Sequence, residues 1–317
     1  MGRVSVDLYP QQVGVELADV DSFKKDLGGS ATNVAVAAAR LGHPSAVVTR
    51  VGDDAFGVYV RRALAGFGVS DRFVGTEPGL RTPLAFCAVL PPDDFPLLFY
   101  REPRAPDMNL SVNDLDLDAI GATPLFWTTG TGLSDEPSRT ATLAAMGARR
   151  RRAITVHDLD HRPMLWARPE DAGRYARDAV ALATVVVGNQ DEVEVATGTR
   201  DPERAAALLL EAGVELAIVK QGLRGVYARR GAEAVLVPSI PVRTLCGLGA
   251  GDAFGGALCH GLLRAWELER LIRFANAAGA IVASRLTCAS EMPTEEEVEA
   301  LIASADAAAA GGAMPRV

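Results

Sequence analysis

The 317 residues carry 32 Lys and Arg against 40 Asp and Glu, a formal net charge of -8, with 49% hydrophobic and 23% charged residues. That apolar content supports one large domain, or a domain with a small satellite, and excludes a disordered body. The acidic balance argues against nucleic acid as a partner, and the lack of a charge-free run of about 18 apolar residues argues against a membrane span.

In chain order, residues 4–8 read as a buried strand with only three residues before it, so either the strand is short or the chain lacks a few native residues at its start. Residues 11–23 are extended in character. A helix is expected over 32–41, a strand over 46–49 and a helix over 56–66. The apolar runs 84–90 and 97–101, joined by Pro91-Pro92-Asp93-Asp94-Phe95-Pro96, read as a hairpin around a Pro-rich loop. We expect a small β lid from about 8–27 and 80–110 standing off one domain that spans 1–317.

Strict alternation follows, with strands over 125–128, 153–157, 184–187 and 216–220 and helices over 138–149, 174–183 and 202–211. Strand–helix alternation at this spacing predicts an α/β fold with a central, mostly parallel sheet covered by helices. The basic run 149–152 reads as the solvated C-terminal end of a helix, where the dipole favours cations. Strands over 226–229 and 234–237 should be antiparallel, helices should span 252–265, 268–285 and 294–303, and the Ala/Gly-rich residues 303–317 should fray. Cys87, Cys246, Cys259 and Cys288 form no C-x-x-C pair, the four histidines form no metal pattern, and no secretory leader is apparent. These features predict reduced thiols in a cytoplasmic protein.

The strongest chemical signal is Cys246-Gly247-Leu248-Gly249-Ala250-Gly251-Asp252, a glycine-rich turn running straight into an Ala-rich helix. Glycines allow close backbone approach, and the unpaired N–H groups and dipole of a helix start favour negative charge. A transferring phosphoryl group suits such a site. Taken from the turn alone, Asp252 is either an N-cap or a general base for an attacking hydroxyl. A dinucleotide fingerprint is rejected, because the third glycine falls one residue early and no strand with a terminal acid follows at the required distance. No Walker A loop is present.

The second signal is Gly28-Gly29-Ser30-Ala31-Thr32-Asn33, followed by Gly42, Gly52 and Gly57. A glycine pair opening a helix lets a ligand approach the backbone, and Asn33 can both donate to and accept from a polyol. Tight helix packing with Asn33 as a local cap explains the same residues.

Together, the two blocks resemble the PfkB (ribokinase-like) carbohydrate kinases, in order and separation and over nearly the whole chain. The resemblance implies a ribokinase-like three-layer sandwich with the β lid, and an ATP-dependent phosphotransferase acting on an alcohol group. The stretches 2–10, 95–103, 158–163 and 247–252 are similar to a branch in bacterial myo-inositol catabolism that phosphorylates a keto sugar acid at C6. Kinases of the same family acting on 2-keto-3-deoxygluconate, fructose or a nucleoside are the alternatives; a silent sugar- or nucleotide-binding protein is another, and a nicotinamide-dependent oxidoreductase is a third.

By this resemblance Asp252 is the base, and Gly249, Ala250 and Gly251 form the anion hole. Asp7, Gly28, Gly29 and Asn33 contact the sugar, and Arg101 and Arg162 receive its carboxylate in bidentate forks. A surface arginine paired with Glu102 or Asp160 is the plainer reading of these two. Lys220, Gly222 and Gly225, with Asn276, Ala277 and Gly279, bind the nucleotide, although helix packing also explains Ala277 and Gly279. Asn189 and Glu192, in Asn189-Gln190-Asp191-Glu192, hold Mg²⁺ through water, or simply start a helix. The implied cofactors are ATP, Mg²⁺ and a monovalent cation, K⁺. Cys246 stands where this branch has Asn or Asp, which removes a polar contact that a cation would use. The implied partners are a sugar or sugar acid and a second copy of the chain, paired through the lid.

Overall fold

Residues Val4–Pro106, Ile240–Arg264 and Arg273–Val317 form one unit of the chain, and Met1–Arg3, Asp107–Ser239 and Ala265–Ile272 form another. The computed structural model describes residues 1–91 and 94–311, so part of the Pro-rich loop expected at 91–96 lies outside the described residues.

The first unit begins with β1 (Ser5–Pro10), β2 (Phe23–Gly28), α1 (Ser30–Arg40), β3 (Ser45–Ala46), β4 (Thr49–Gly52), α2 (Ala55–Gly66), β5 (Val69–Ser70), β6 (Val74–Glu77), β7 (Leu84–Cys87) and β8 (Leu97–Tyr100). The order β2-β1-β7-β8 makes a four-stranded mixed sheet. In it β1 runs antiparallel to β2, with Ser5 opposite Gly28, and parallel to β7, and β7 and β8 form the expected hairpin. The expected strand at 4–8 therefore belongs to this mixed sheet, and it has six residues rather than a truncated few. The expected strand at 46–49 is split between β3 and β4, which pair in parallel with β5 and β6.

Residues 11–22 are not extended, and of the expected stretch only Phe23, which opens β2, is in a strand. The Gln12 side chain accepts from the backbone N–H groups of Asp21 and Ser22 and donates to the Asp21 carboxylate at 2.8 Å, which closes the segment into a loop containing a 3₁₀ turn at Leu17–Asp19. α2 is capped by Asp54, whose side chain accepts from Gly57 N at 2.7 Å and from Thr82 N at 2.7 Å.

The second unit contains α3 (Leu117–Ala122), β9 (Leu125–Thr129), α4 (Ser138–Ala148), β10 (Ile154–Asp158), α5 (Asp171–Val180), β11 (Val185–Asn189), α6 (Gln190–Thr197), α7 (Pro202–Glu211), β12 (Leu216–Lys220), β13 (Val226–Arg230) and β14 (Glu233–Val237). Its sheet has the order β14-β13-β12-β11-β10-β9, parallel from β9 to β12 and antiparallel at β13 and β14. Val185, Val186 and Val187 of β11 and Ala217, Ile218 and Val219 of β12 are all buried, as strands covered on both faces must be.

The expectation of a solvated helix end at 149–152 fails at Arg149. It caps α4 but is only 2% exposed. It donates to the carbonyls of Ile120, Thr123 and Ile154 and to Thr155 Oγ1. The carbonyls lie towards the end of α3 and at the start of β10, so the guanidinium ties the two elements together. Arg151 does the same for Ala181, Ala183 and Gly213.

Three helices end the chain: α8 (Ala250–Leu263), α9 (Leu268–Ala283) and α10 (Glu295–Gly311). The fraying expected from residue 303 is corrected as far as Gly311, since alanine is the strongest helix former and the run continues α10; residues 312–317 lie outside the described residues. No described helix is long and apolar enough to cross a membrane.

Candidate active site

α8 starts at Gly249, its N-cap, with φ 80° and ψ -8°, a left-handed conformation that favours glycine. A Cβ at this position would stand 2.1 Å from Cys288 Sγ. The first helical bond runs from Ala253 N to Gly249 O, so the N–H groups of Ala250, Gly251 and Asp252 precede the intrahelical ladder.

Asp252 is thus not the N-cap, and its side chain serves another purpose. Oδ1 accepts from Ser30 Oγ at 2.7 Å, Oδ2 accepts from Asn33 Nδ2 at 2.8 Å, and Cys288 Sγ lies 3.9 Å from Oδ2. Both oxygen donors come from the first turn of α1, which leaves β2 at the glycine pair; Gly29 has φ 96° and ψ 125°. The Asp252 contact fixes the orientation of the Asn33 amide. Asn33 Oδ1 is then buried and has no hydrogen-bond partner among the described residues. An unpaired buried acceptor costs about 1–3 kcal/mol.

Asp7, on β1, accepts from Ser5 Oγ at 2.6 Å. Its carboxylate lies so close to Gly28 that a Cβ there would sit 1.9 Å from Oδ1. Asp26, which is buried, accepts from Leu27 N at 2.9 Å and from Ser290 N and Oγ at 3.0 and 2.9 Å. It thereby anchors the turn that carries Cys288. Burial, helped by the nearby Asp252, pushes the Cys288 thiol well above its usual pKa, so it stays neutral beside the carboxylate. Burial also raises the fully buried Cys246 thiol. A neutral thiol is a poor ligand for a hard cation, so position 246 does not fit a side-chain contact to K⁺. Arg101 follows β8 in this same unit and is half-buried.

On α9, Asn276 is half-buried, whereas Ala277 is fully buried. A Cβ on Gly279 would lie 3.0 Å from the Ala250 carbonyl, so helix packing accounts for the small residue there.

In the other unit, the candidate residues gather at the C-terminal ends of parallel strands, where open α/β sheets bind ligands. Asn189 and Lys220 are register partners ending β11 and β12. Asn189 Oδ1 accepts from Glu192 N at 2.9 Å and Glu192 Oε2 accepts from Asn189 N at 2.7 Å, a capping box that opens α6. The helix-start reading is therefore realised. The box engages Oε2 of Glu192, so the set fits a Mg²⁺ ion held through its waters rather than directly. After β12, Gly222 has φ 59° and Gly225 has φ 92°; a Cβ on Gly225 would stand 2.1 Å from the Val237 carbonyl.

Arg162 pairs through Nε with Asp160 Oδ1 at 3.0 Å, the ion pair that the plainer reading expected. Asp160 is buried, has φ 25°, accepts from Thr131 Oγ1 at 3.1 Å and pairs with Arg3 at 3.5 Å. A non-glycine residue at positive φ within such a network is a strained position of the kind that concentrates at ligand sites.

Ser30, Cys288 and Asp26 are the contributors that the sequence reading missed. Ser30 had a signal, since it sits three residues before Asn33 on the same helix face. Cys288 had none, being distant in sequence from the residues it meets.

The family model for pfkB family carbohydrate kinases matches residues 1–295. A curated relative from Photobacterium profundum, a 5-dehydro-2-deoxygluconokinase, is 37% identical over 305 residues, covering 93% of this chain and 91% of its own. A 5-dehydro-2-deoxygluconokinase from Geobacillus kaustophilus is 31% identical over 310 residues, covering 95% and 92%. Among solved structures, an Escherichia coli protein described as a ribokinase II, with ATP and Mg²⁺, superposes with a TM-score of 0.85 at 25% identity, covering 94% and 96% of the two chains. A fructokinase variant from Vibrio cholerae, with fructose, ADP and potassium, gives a TM-score of 0.83 at 25% identity, covering 95% and 96%. With this match running from the first strand to the start of α10, the chain adopts the ribokinase-like α/β fold and belongs to the pfkB family of carbohydrate kinases, phosphotransferases acting on a sugar hydroxyl.

Proposed function

We propose that this chain transfers the γ-phosphoryl group of ATP to the C6 hydroxyl of 5-dehydro-2-deoxygluconate. The observation that carries this reading is the Asp252 carboxylate, which is held by Ser30 and Asn33 beside the Gly249 turn instead of capping its helix. The substrate comes from the relatives at 37% and 31% identity.

The substrate hydroxyl gives its proton to Asp252 as its oxygen bonds to the γ-phosphorus, and the bond to the β–γ bridging oxygen breaks to release ADP. The N–H groups of Gly249, Ala250 and Gly251 hold the charge on the transferring group. Asp7, the backbone at Gly28 and Gly29, and the unsatisfied Oδ1 of Asn33 take the sugar hydroxyls. Arg101 and Arg162 receive the carboxylate. Lys220, Gly222, Gly225 and Asn276 bind the nucleotide, while Ala277 and Gly279 shape the helix near it. Asn189 and Glu192 would hold Mg²⁺ through water, and the ion when bound neutralises phosphate charge. The buried neutral Cys246 supplies no ligand to K⁺, so no step is assigned to that ion.

A second copy of the chain is proposed to pair along the β8 edge, where Leu98 and Tyr100 are 46% and 59% exposed. Four free, buried thiols suit a reducing, cytoplasmic setting.

The test is Mg²⁺-dependent ADP release with 5-dehydro-2-deoxygluconate beside 2-keto-3-deoxygluconate, fructose and ribose. The expected result is the highest kcat/KM for the first, with Arg101→Ala and Arg162→Ala raising KM for the acids but not for fructose. Preference for a neutral sugar would discard the substrate and the two arginine roles together.

A further inference from the structure

We infer that Ser30 is a positioning residue for the base, forming with Asn33 a two-point clamp that fixes the Asp252 carboxylate plane before substrate arrives. This inference rests on Asp252 being the base, as proposed above. Ser30 and Asn33 are the first and fourth residues of α1, and that spacing places both side chains on one helix face. One donates to each carboxylate oxygen, at 2.7 and 2.8 Å.

The two donors have different geometry and company. Asn33 lies buried at 3% exposure and shares Oδ2 with the neighbouring Cys288 thiol. Ser30 is half-buried and approaches Oδ1. A hydroxyl has one proton and two lone pairs. With its proton committed to Oδ1, Ser30 holds the carboxylate plane while the carboxylate keeps a free lone pair for the single proton of the incoming primary alcohol. A short, singly branched hydroxyl achieves this without the entropy cost of ordering a long side chain. A hydrogen bond donated to a carboxylate favours its ionised form, so the loss of one donor is read out in the acid limb of activity.

Ser30→Ala should lower kcat about 10- to 100-fold, the loss expected for one hydrogen bond to a charged group. KM for ATP and for the sugar should stay within about twofold. The acid limb of the kcat profile should move to higher pH, and Ser30→Thr should restore most of the rate. Thermal melting and nucleotide affinity of each variant establish that it is folded. If Ser30→Ala raises the sugar KM with kcat unchanged, Ser30 contacts substrate and the clamp is wrong. Unchanged kcat and pH profile also overturn it. Loss of rate without rescue by Thr and without a shifted acid limb marks a merely structural residue. Asp252→Asn is assayed in parallel: if it retains turnover, the base assignment fails independently of Ser30.

Discussion

The two donors that hold the Asp252 carboxylate, Ser30 and Asn33, lie more than two hundred residues away in sequence, and those contacts distinguish Asp252 from a helix cap. An Asp serving as an N-cap would accept from the backbone of its own first turn. Here Gly249 is the cap, and Asp252 accepts from Ser30 and Asn33. Asp252→Asn should therefore leave ATP and sugar binding intact in calorimetry while lowering kcat about 10²- to 10⁴-fold, the range for removing a general base. Gly249→Ala should be worse than its size suggests. Its φ of 80° disfavours a side chain, and the added Cβ would stand 2.1 Å from Cys288 Sγ. We expect a loss of about 1–3 kcal/mol in denaturant unfolding, along with most of the activity.

At the scale of elements, Asp252 and its two donors are brought together by two helices packed closely. α1 is buried nearly all round and lies against α8, where Gly256 faces Ala37; a Cβ at 256 would approach Ala37 Cβ to 2.2 Å and its backbone carbon to 3.1 Å. Gly256 lets α8 carry Asp252 up to Ser30 and Asn33, although it is itself one turn away from the site. Gly256→Ala should push the helices apart, lowering kcat and costing about 1–3 kcal/mol by thermal melting. A neutral substitution there would show that the helices have slack to absorb a methyl group. The small residues of α1 were visible in sequence, but which helix they met was not.

Across the whole molecule, pH acts through buried histidines. His157, on β10, is fully buried, bonded to Thr128 Oγ1 at 3.0 Å, and burial lowers its pKa from 6.5 to about 4. The unfolded chain takes up this proton near pH 6.5 and the folded chain only near pH 4. Stability should therefore fall as pH drops through that window, by about 3 kcal/mol from this residue. His43 and His260, lowered chiefly by burial, act in the same direction. Melting temperature measured from pH 7 to pH 4 should decline, and His157→Gln should flatten the decline in part. By itself the sequence determined the βα alternation, the strands from 125 to 237, the glycine turns and the family, because local periodicity and short motifs are carried by neighbouring residues. Tertiary structure alone decided that residues 4–8 join the mixed sheet and that residues 11–22 close into a loop around the Gln12 side chain. It also decided that Arg149 is buried under carbonyls and that Ser30 and Cys288 attend Asp252. Each of these depends on which side chain meets which backbone group or carboxylate in space, and no periodicity or short motif encodes that pairing.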